Sequence, residues 1–394
     1  MKISSFLHFI FRRGLRKLSQ FIVSCLPQKE LGKLMETMID ECIVRNKPLS
    51  FLSLDALKDR GFLRLISLSN EPSQRMYFTC HLRPIFTEGI ETLPDNFYTF
   101  SNIAIIIQGP IIKANDFTFE SIRLYKKIFH KSKIILSTWN DEDQFYLEKF
   151  KNEDIFVVLN NKPINPGILN VNYQIISSYS GIQKAQELDC LYSLKTRSDQ
   201  RIYAPNTEAV LLSILKAFPL KQPSIHQLGR IIAISLNTYK YRLYSISDMF
   251  LFGYTSDLDK FWSPPLDERE KVAPDYLETL GNMEKNLFPE SYLLTNYLNK
   301  IEYTPAWTIS DSWDVYSEIF CIVDKEIFDL YWPKYQNELE YRDISYDFIK
   351  TNKLFNFADW LNFQCHTYQD KISDETRKIS YPIGEIIDFS YKIN

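Results

Sequence analysis

Cysteine pairs and metal-binding clusters are missing from this sequence. The six cysteines are widely scattered, and they form neither a CxxC pair nor a cluster with any of the five histidines. Structural zinc sites depend on such spacing, so no zinc site is expected. Scattered cysteines in a chain of this size are typical of a reducing compartment rather than of a disulfide scaffold. We therefore predict a cytoplasmic protein.

Glycine is scarce, the net charge is small and no long apolar run is present. The 394 residues include only 11 glycines, which argues against collagen-like and glycine-linker architectures. A net charge of −3 gives no reason to expect nucleic acid as a partner. No segment is predicted to span a membrane. With 45% hydrophobic residues, the chain has enough apolar side chains for a sizeable core.

The first 26 residues combine apolar side chains with five basic ones. Lys2, Arg12, Arg13, Arg16 and Lys17 interrupt the apolar run, so the segment is too charged to cross a bilayer. A basic amphipathic segment of this kind is typical of peripheral contact with an anionic membrane, here the inner face of the cytoplasmic membrane. A helix that packs on its own domain explains the same pattern, and both interpretations stay open.

Strands and helices alternate from residue 102 onward, which predicts an α/β fold with a parallel sheet. A helical N-terminal region is predicted for residues 27–100, with a helix at 30–45 and an irregular connection at 84–97. A C-terminal extension is predicted for residues 321–394. The predicted strands are 103–107, 133–137, 155–159, 191–196 and 247–253, and the predicted helices are 119–129, 141–149, 173–188, 207–217 and 289–298.

Charged side chains gather at the end of the predicted strand 191–196. Asp199 stands between Arg197 and Arg201, and Lys195 precedes them. A carboxylate can hold a hard cation such as Mg²⁺ or Mn²⁺, and guanidinium groups pair with phosphate oxygens in bidentate fashion. These four residues therefore predict a diphosphate site with Asp199 as its metal ligand. A surface salt-bridge cluster is the competing interpretation.

Ligands of open parallel sheets bind just beyond the carboxyl ends of the strands. At the end of the first predicted strand, Gln108, Gly109 and Pro110 are candidates for lining a nucleotide pocket, or they simply terminate the strand. The second strand ends with Thr138 and Trp139. The indole of Trp139 is a candidate platform for a nucleobase, and a place in the core is the alternative.

Two further groups of polar residues fall near predicted strand ends. Asn172 and Gln174 begin a predicted helix, where their amides are candidates for binding sugar or ribose hydroxyls; helix capping by Asn172 is the alternative. Asp248 opens an otherwise apolar segment, and an acid is costly to bury there unless it is paired or used. Asp248 is therefore a candidate for acceptor binding or for completing a metal site, with a cap or a buried ion pair as the alternative.

Five short motifs follow one another in a fixed order and together carry a family resemblance. They are residues 105–111 (IIIQGPI), 135–139 (ILSTW), 172–175 (NYQI), 194–201 (LKTRSDQR) and 247–253 (SDMFLFG). In this order they resemble the WavE family of lipopolysaccharide-synthesis proteins, which are bacterial glycosyltransferases. The resemblance extends over about residues 102–315. It implies a GT-A-like nucleotide-binding sheet flanked by helices, in a domain at residues 101–320.

The resemblance also implies a reaction. A sugar would pass from a nucleotide-sugar to a lipopolysaccharide, lipooligosaccharide or related surface-glycan acceptor, either a free glycan or a lipid-linked one. Glu290 follows Pro289 at a predicted helix start, where inverting GT-A enzymes place their base, so Glu290 and Asp248 are the catalytic candidates. Complementation of the helix dipole is the alternative role for Glu290.

One departure from the GT-A pattern concerns the metal. The usual motif is Asp-x-Asp, whereas residues 198–200 read SDQ and offer a single carboxylate. A Mg²⁺ or Mn²⁺ cofactor is therefore allowed but not required. Two other functions stay open: another phosphate-ester enzyme, such as a sugar-phosphate or nucleotidyl transferase, and a non-catalytic scaffold that binds nucleotide-sugar in the same pathway.

Overall fold

The computed structural model describes residues 83–90, 102–129, 131–221, 226–240, 242–270, 288–333 and 354–364. The predicted amphipathic segment at 1–26 and the predicted helix at 30–45 lie outside these residues. From residue 85 onward the described residues belong to one unit, which comprises residues 85–333 and 340–394. In the described part of the chain, no helix is long and apolar enough to cross a membrane.

A seven-stranded mixed sheet forms the centre of this unit, and a separate two-stranded sheet lies beside it. The larger sheet has the order β3-β2-β1-β4-β7-β6-β8, and β5 pairs with β9. The strands are β1 (Ile103–Gln108), β2 (Lys133–Trp139), β3 (Phe156–Asn160), β4 (Tyr192–Arg197), β5 (Arg201–Ile202), β6 (Ile231–Ile234), β7 (Leu251–Tyr254), β8 (Phe320–Val323) and β9 (Leu330–Tyr331).

Helices connect and flank the strands, which confirms the predicted α/β class. Most boundaries lie within three residues of the prediction. The helix predicted at 141–149 begins later because the Asp143 carboxylate accepts a hydrogen bond from the Phe145 amide and so caps it. The helices are α1 (Phe117–Ile128), α2 (Gln144–Lys151), α3 (Val171–Glu187), α4 (Thr207–Ala217), α5 (Thr255–Trp262), α6 (Pro289–Lys300), α7 (Ile309–Glu318) and α8 (Phe357–Gln364).

The core lies around β1, all of whose residues are buried. A continuous apolar run of this kind is typical of a strand covered on both faces. Helix α3 covers one face and approaches the strands closely at Gly181. A Cβ atom at this position would lie 2.5 Å from the Ile106 side chain, so glycine allows the helix to pack directly on the sheet.

The predicted parallel sheet contains one antiparallel strand. Strand β7 runs antiparallel to both β4 and β6, whereas β1, β2, β3 and β4 pair in parallel. The strand predicted at 247–253 is also shorter than expected, because only Leu251–Tyr254 is a strand. Asp248 therefore lies in the segment before β7. Since β7 is antiparallel, this segment enters the sheet at the edge where β1 and β4 end.

Residues after 320 take part in both sheets. Strand β8 pairs in parallel with β6 at the edge of the large sheet, and it crosses the predicted boundary between residues 320 and 321. Strand β9 pairs with β5, just after the predicted phosphate site. The division of the chain into four segments stays a prediction.

Candidate active site

The ends of β1 and β4 are adjacent, and hydrogen bonds join the loops that follow them. Gln108 and Arg197 are partners in the register of the two strands. The Ser198 amide donates to the Gln108 carbonyl at 2.9 Å, and the Ser198 hydroxyl donates to the Pro110 carbonyl at 2.6 Å. Gly109 has a φ of +122°, and a Cβ atom there would lie 2.7 Å from Ser198 Oγ. This turn therefore requires glycine.

Arg197 and Asp199 form a bidentate ion pair at this edge. Arg197 Nε and Nη2 donate to the two oxygens of Asp199 at 2.8 and 2.9 Å. Trp332 Nε1 donates to Asp199 Oδ2 at 3.1 Å. Burial raises the pKa of Asp199, but Arg197 and Trp332 lower it further, so the net pKa is below the ordinary value. Asp199 is therefore ionised at neutral pH and orients the guanidinium of Arg197.

Lys195 lies behind this pair and is fully buried. Its ammonium nitrogen donates to the Asp248 carbonyl at 2.6 Å and lies 4.3 Å from the centre of the Trp262 ring. Burial lowers the pKa of Lys195 to about 7, against the opposing charge of Asp248. The charges of Arg197 and Asp199 also act on this pKa.

Two carboxyl groups, Asp248 and Glu290, interact electrostatically at the same edge. Glu290 lies in the first turn of α6, next to the Pro289 that begins the helix. Burial and the negative charge of Asp248 raise the pKa of Glu290 to about 7, and Arg242 opposes this shift. Asp248 is buried, and its carboxylate makes no hydrogen bond to another residue that the structure describes. A carboxyl group that titrates near neutral pH is suited to accept a proton.

The residues at this edge do not provide a ligand set for a divalent cation. Within the described ranges, no group of three or more His, Cys, Asp or Glu side chains could hold a metal ion. Both Asp199 oxygens accept hydrogen bonds from Arg197 or Trp332. Gln200, at the place of the second carboxylate in the usual motif, is fully buried and donates to Met249 Sδ. The metal role of Asp199 therefore gains no support from the geometry and stays a prediction.

Arg201 does not join the predicted phosphate site. Its guanidinium is buried against α1, where it donates to the carbonyls of Ile85 and Phe117 and to the hydroxyls of Ser121 and Tyr203. The reason is its place in β5, which pairs with β9 and directs this side chain into the protein. The prediction that Arg201 binds diphosphate is corrected accordingly: its contacts are structural.

Thr138 and Trp139 also have structural partners. The Thr138 hydroxyl donates to Glu142, whose same oxygen accepts the Ile111 amide, so Glu142 links the loops after β1 and β2. Trp139 is 4% exposed and packs edge-on against Tyr173, with ring centres 5.2 Å apart. The indole is therefore buried against Tyr173, which agrees with the alternative interpretation of Trp139.

Asn172 and Gln174 differ in their contacts, because only the Asn172 amide connects two loops. The Asn172 amide donates to the Asn165 and Asp267 carbonyls and accepts from the Asp267 amide. It does not cap α3, whose N-cap residue is Asn170, so the capping alternative is wrong, and the role of Asn172 in binding sugar or ribose stays a prediction. Gln174 Oε1 is buried without a hydrogen-bond partner, as is Gln108 Oε1.

Sequence reasoning missed Trp332 and Arg242. Trp332 lies 133 residues after Asp199, so no local pattern connects the two. Arg242 lies beside Glu290, with its guanidinium 4.0 Å from the centre of the Tyr239 ring and 4.8 Å from that of Phe288. A lone arginine in a polar stretch carries no signal of this role; only the fold brings it to the carboxyl pair.

Fold and site define an α/β protein with an Arg–Asp pair and a carboxyl pair at one sheet edge. Residues 103–303, just over half of the chain, match the family described as WavE lipopolysaccharide synthesis. The chain therefore belongs to the WavE family, and the resemblance of its motifs is confirmed. The sheet flanked by helices that this family implied is present. Family membership supports a transferase role in lipopolysaccharide synthesis.

Two solved structures show similarity over part of the chain. Mannose-1-phosphate geranyltransferase from Thermus thermophilus is 10% identical, with a TM-score of 0.23, over 34% of this chain and 41% of that one. A glycosyltransferase involved in the glycosylation of the major capsid of PBCV-1 is 15% identical, with a TM-score of 0.26, over 44% and 70%. The chain thus spans less than half of the first structure. A comparison with curated proteins gave no match. We therefore base the functional proposal on the family and on the site.

Proposed function

We propose that this protein is a glycosyltransferase that moves a sugar from a nucleotide-sugar to a surface-glycan acceptor. The observation that carries the proposal is the carboxyl pair of Asp248 and Glu290 at the edge that also holds Arg197 and Asp199. Glycosyl transfer needs both kinds of group. A cation must stabilise the departing diphosphate, and a base must take the proton of the acceptor hydroxyl.

Arg197 supplies the positive charge for the leaving group. Its planar guanidinium suits the bidentate recognition of phosphate oxygens, and Asp199 fixes its orientation through two hydrogen bonds. Lys195 adds charge from behind, because its pKa of about 7 leaves it partly protonated at neutral pH. As the bond between the sugar and the diphosphate breaks, the electron pair passes to the diphosphate beside these cations.

Glu290 is the proposed general base. Its carboxylate takes the proton of the acceptor hydroxyl while the acceptor oxygen bonds to the anomeric carbon of the sugar. A single displacement of this kind inverts the anomeric configuration. Burial, together with the charge of Asp248, keeps the pKa of Glu290 near the working pH, where a base is most effective.

The acceptor assigned by this proposal is lipopolysaccharide, lipooligosaccharide or a related glycan, free or lipid-linked. Membership of the family supports this choice. The predicted basic segment at residues 1–26 would bring the enzyme to the cytoplasmic face of the membrane, where a lipid-linked acceptor is held.

Nucleotide binding is the first test. A ligand that binds only the folded state raises the melting temperature, so purified protein is screened against nucleoside diphosphates and nucleotide-sugars. We expect a selective rise that disappears in Asp199→Ala. Asp359→Ala is the matched control. Asp359 lies on α8, is similarly buried and forms an ion pair with Lys240. A well-folded wild type that responds to no nucleotide would overturn the proposal.

A further inference from the structure

Trp332 follows β9 and lies outside the segment that matches the WavE family. Strand β9 pairs antiparallel with β5, with Arg201 opposite Tyr331. The residue after Tyr331 is therefore brought level with the turn that ends β4 and contains Asp199. The indole of Trp332 is 7% exposed. Pairing of two short strands thus places a C-terminal aromatic residue beside the proposed phosphate site.

Trp332 contacts both members of the ion pair. Its indole N–H donates to Asp199 Oδ2 at 3.1 Å, and its ring centre lies 5.3 Å from the guanidinium carbon of Arg197. The N–H group donates to the same carboxylate oxygen as Arg197 Nη2, and the ring supports the guanidinium by a cation–π contact. Both contacts connect Trp332 to the Arg197–Asp199 pair rather than to the core.

We propose that Trp332 is a positioning residue of the diphosphate site. This inference rests on the proposed function, since it assigns Trp332 to the nucleotide that the Arg197–Asp199 pair receives. Trp332 does not touch the reacting atoms. It holds the Asp199 carboxylate, which in turn holds the Arg197 guanidinium in the orientation that phosphate oxygens require. Arg197 and Asp199 lie within the segment that matches the family, and Trp332, the third residue of the site, comes from the chain that follows it.

Trp332→Phe tests this inference, because it keeps an aromatic ring beside Arg197 and removes the N–H donor. We expect nucleoside diphosphate to bind roughly tenfold more weakly at pH 7, as for a lost hydrogen bond to a charged group. Nucleotide binding is expected to be lost below the pH at which Asp199 becomes protonated, which we call the acid limit. The Trp332 hydrogen bond lowers the pKa of Asp199, so loss of this bond should move the acid limit to higher pH. A merely structural tryptophan would lower the melting temperature without moving this limit.

The matched control is Trp360→Phe. Trp360 is also buried and its indole donates to two backbone carbonyls, but it lies on α8. This control is expected to lose stability while it keeps the wild-type affinity and pH limit. If wild type binds nucleotide and Trp332→Phe binds it equally at every pH, the inference on Trp332 is overturned alone. If wild type binds no nucleotide, both proposals are overturned together.

A second measurement needs no substitution at Trp332. Protein labelled with ¹⁵N in the indole groups of its six tryptophans gives one N–H signal for each of them. We expect one signal to move when nucleoside diphosphate is added, and the same signal to move in Asp199→Asn. If nucleotide binds and every indole signal that it moves is untouched by Asp199→Asn, the inference is overturned.

Discussion

The substitution Glu290→Gln separates catalysis from binding and from folding. It keeps the size of the side chain and removes the group that accepts the acceptor proton. Because the diphosphate is proposed to bind at Arg197 and Asp199, we expect nucleoside diphosphate to bind as in wild type. Turnover should fall by about 10²–10⁴-fold, the usual contribution of a positioned general base.

The pKa of Glu290 sets the expected pH dependence in wild type. With a pKa of about 7, the fraction of Glu290 that is ionised is about one in eleven at pH 6 and about ten in eleven at pH 8. The rate of a reaction that needs the carboxylate should therefore rise about tenfold between these values. This rise is the acid limb of the rate profile, and the remaining rate of Glu290→Gln should not show it.

Stability gives an independent reading of the same group. The pKa of Glu290 in the folded state lies above its ordinary value of 4.5. The folded state therefore loses stability as the pH rises from about 4.5 to about 7, because the unfolded chain releases this proton more easily. The melting temperature of Glu290→Gln minus that of wild type should therefore be higher at pH 8 than at pH 5.

The assay is initial-rate measurement of nucleoside diphosphate release across pH 5.5–8.5, with a melting curve at each pH. Two results would contradict the assignment of Glu290. If Glu290→Gln turns over at the wild-type rate, or if the acid limb persists in it unchanged, Glu290 is not the base. A variant that loses nucleotide binding together with activity would instead place Glu290 in the donor site.

Three further predictions follow from the same geometry. Asp248→Asn removes the charge that raises the pKa of Glu290, so the acid limb of the rate profile should move to lower pH; a limb at unchanged pH would contradict the coupling. Because Arg197 is proposed to stabilise the charge of the leaving group, turnover should persist in EDTA, and loss of activity that Mn²⁺ restores would refute this. Gly109→Ala should destabilise the fold by about 1–3 kcal/mol in chemical denaturation, because its φ is positive and Ser198 lies too close. Gly253→Ala, whose Cβ would meet its nearest neighbours at 3.5 Å, is the control and should cost less.

Local sequence predicted the elements well where one pattern is sufficient. The apolar run of β1 and the helix α4, whose predicted and observed bounds agree at 207–217, are set by residues within each element. The segment 247–253 shows the limit of this reasoning. It is apolar enough for a strand, but the observed strand is only Leu251–Tyr254, and the antiparallel direction of β7 depends on the whole sheet.

The candidate site was predicted in part for the same reason. The sequence predicted Arg197 and Asp199 as one cluster and Asp248 and Glu290 as separate candidates, and the order of strands brings both groups to one edge. Arg201 looked equivalent to Arg197 because both flank Asp199. Their difference arises from the pairing of β5 with β9, which no local pattern encodes.

The most direct test of the central claim is product analysis after incubation with nucleotide-sugars and a lipooligosaccharide acceptor. We predict that wild type forms intact nucleoside diphosphate and glycosylated acceptor in equal amounts, and that Glu290→Gln binds the same nucleotide but forms neither. Release of nucleoside monophosphate or pyrophosphate would assign the protein to another class of phosphate-ester enzyme. Binding of a nucleotide-sugar that is never consumed, with any acceptor offered, would contradict catalysis by this site.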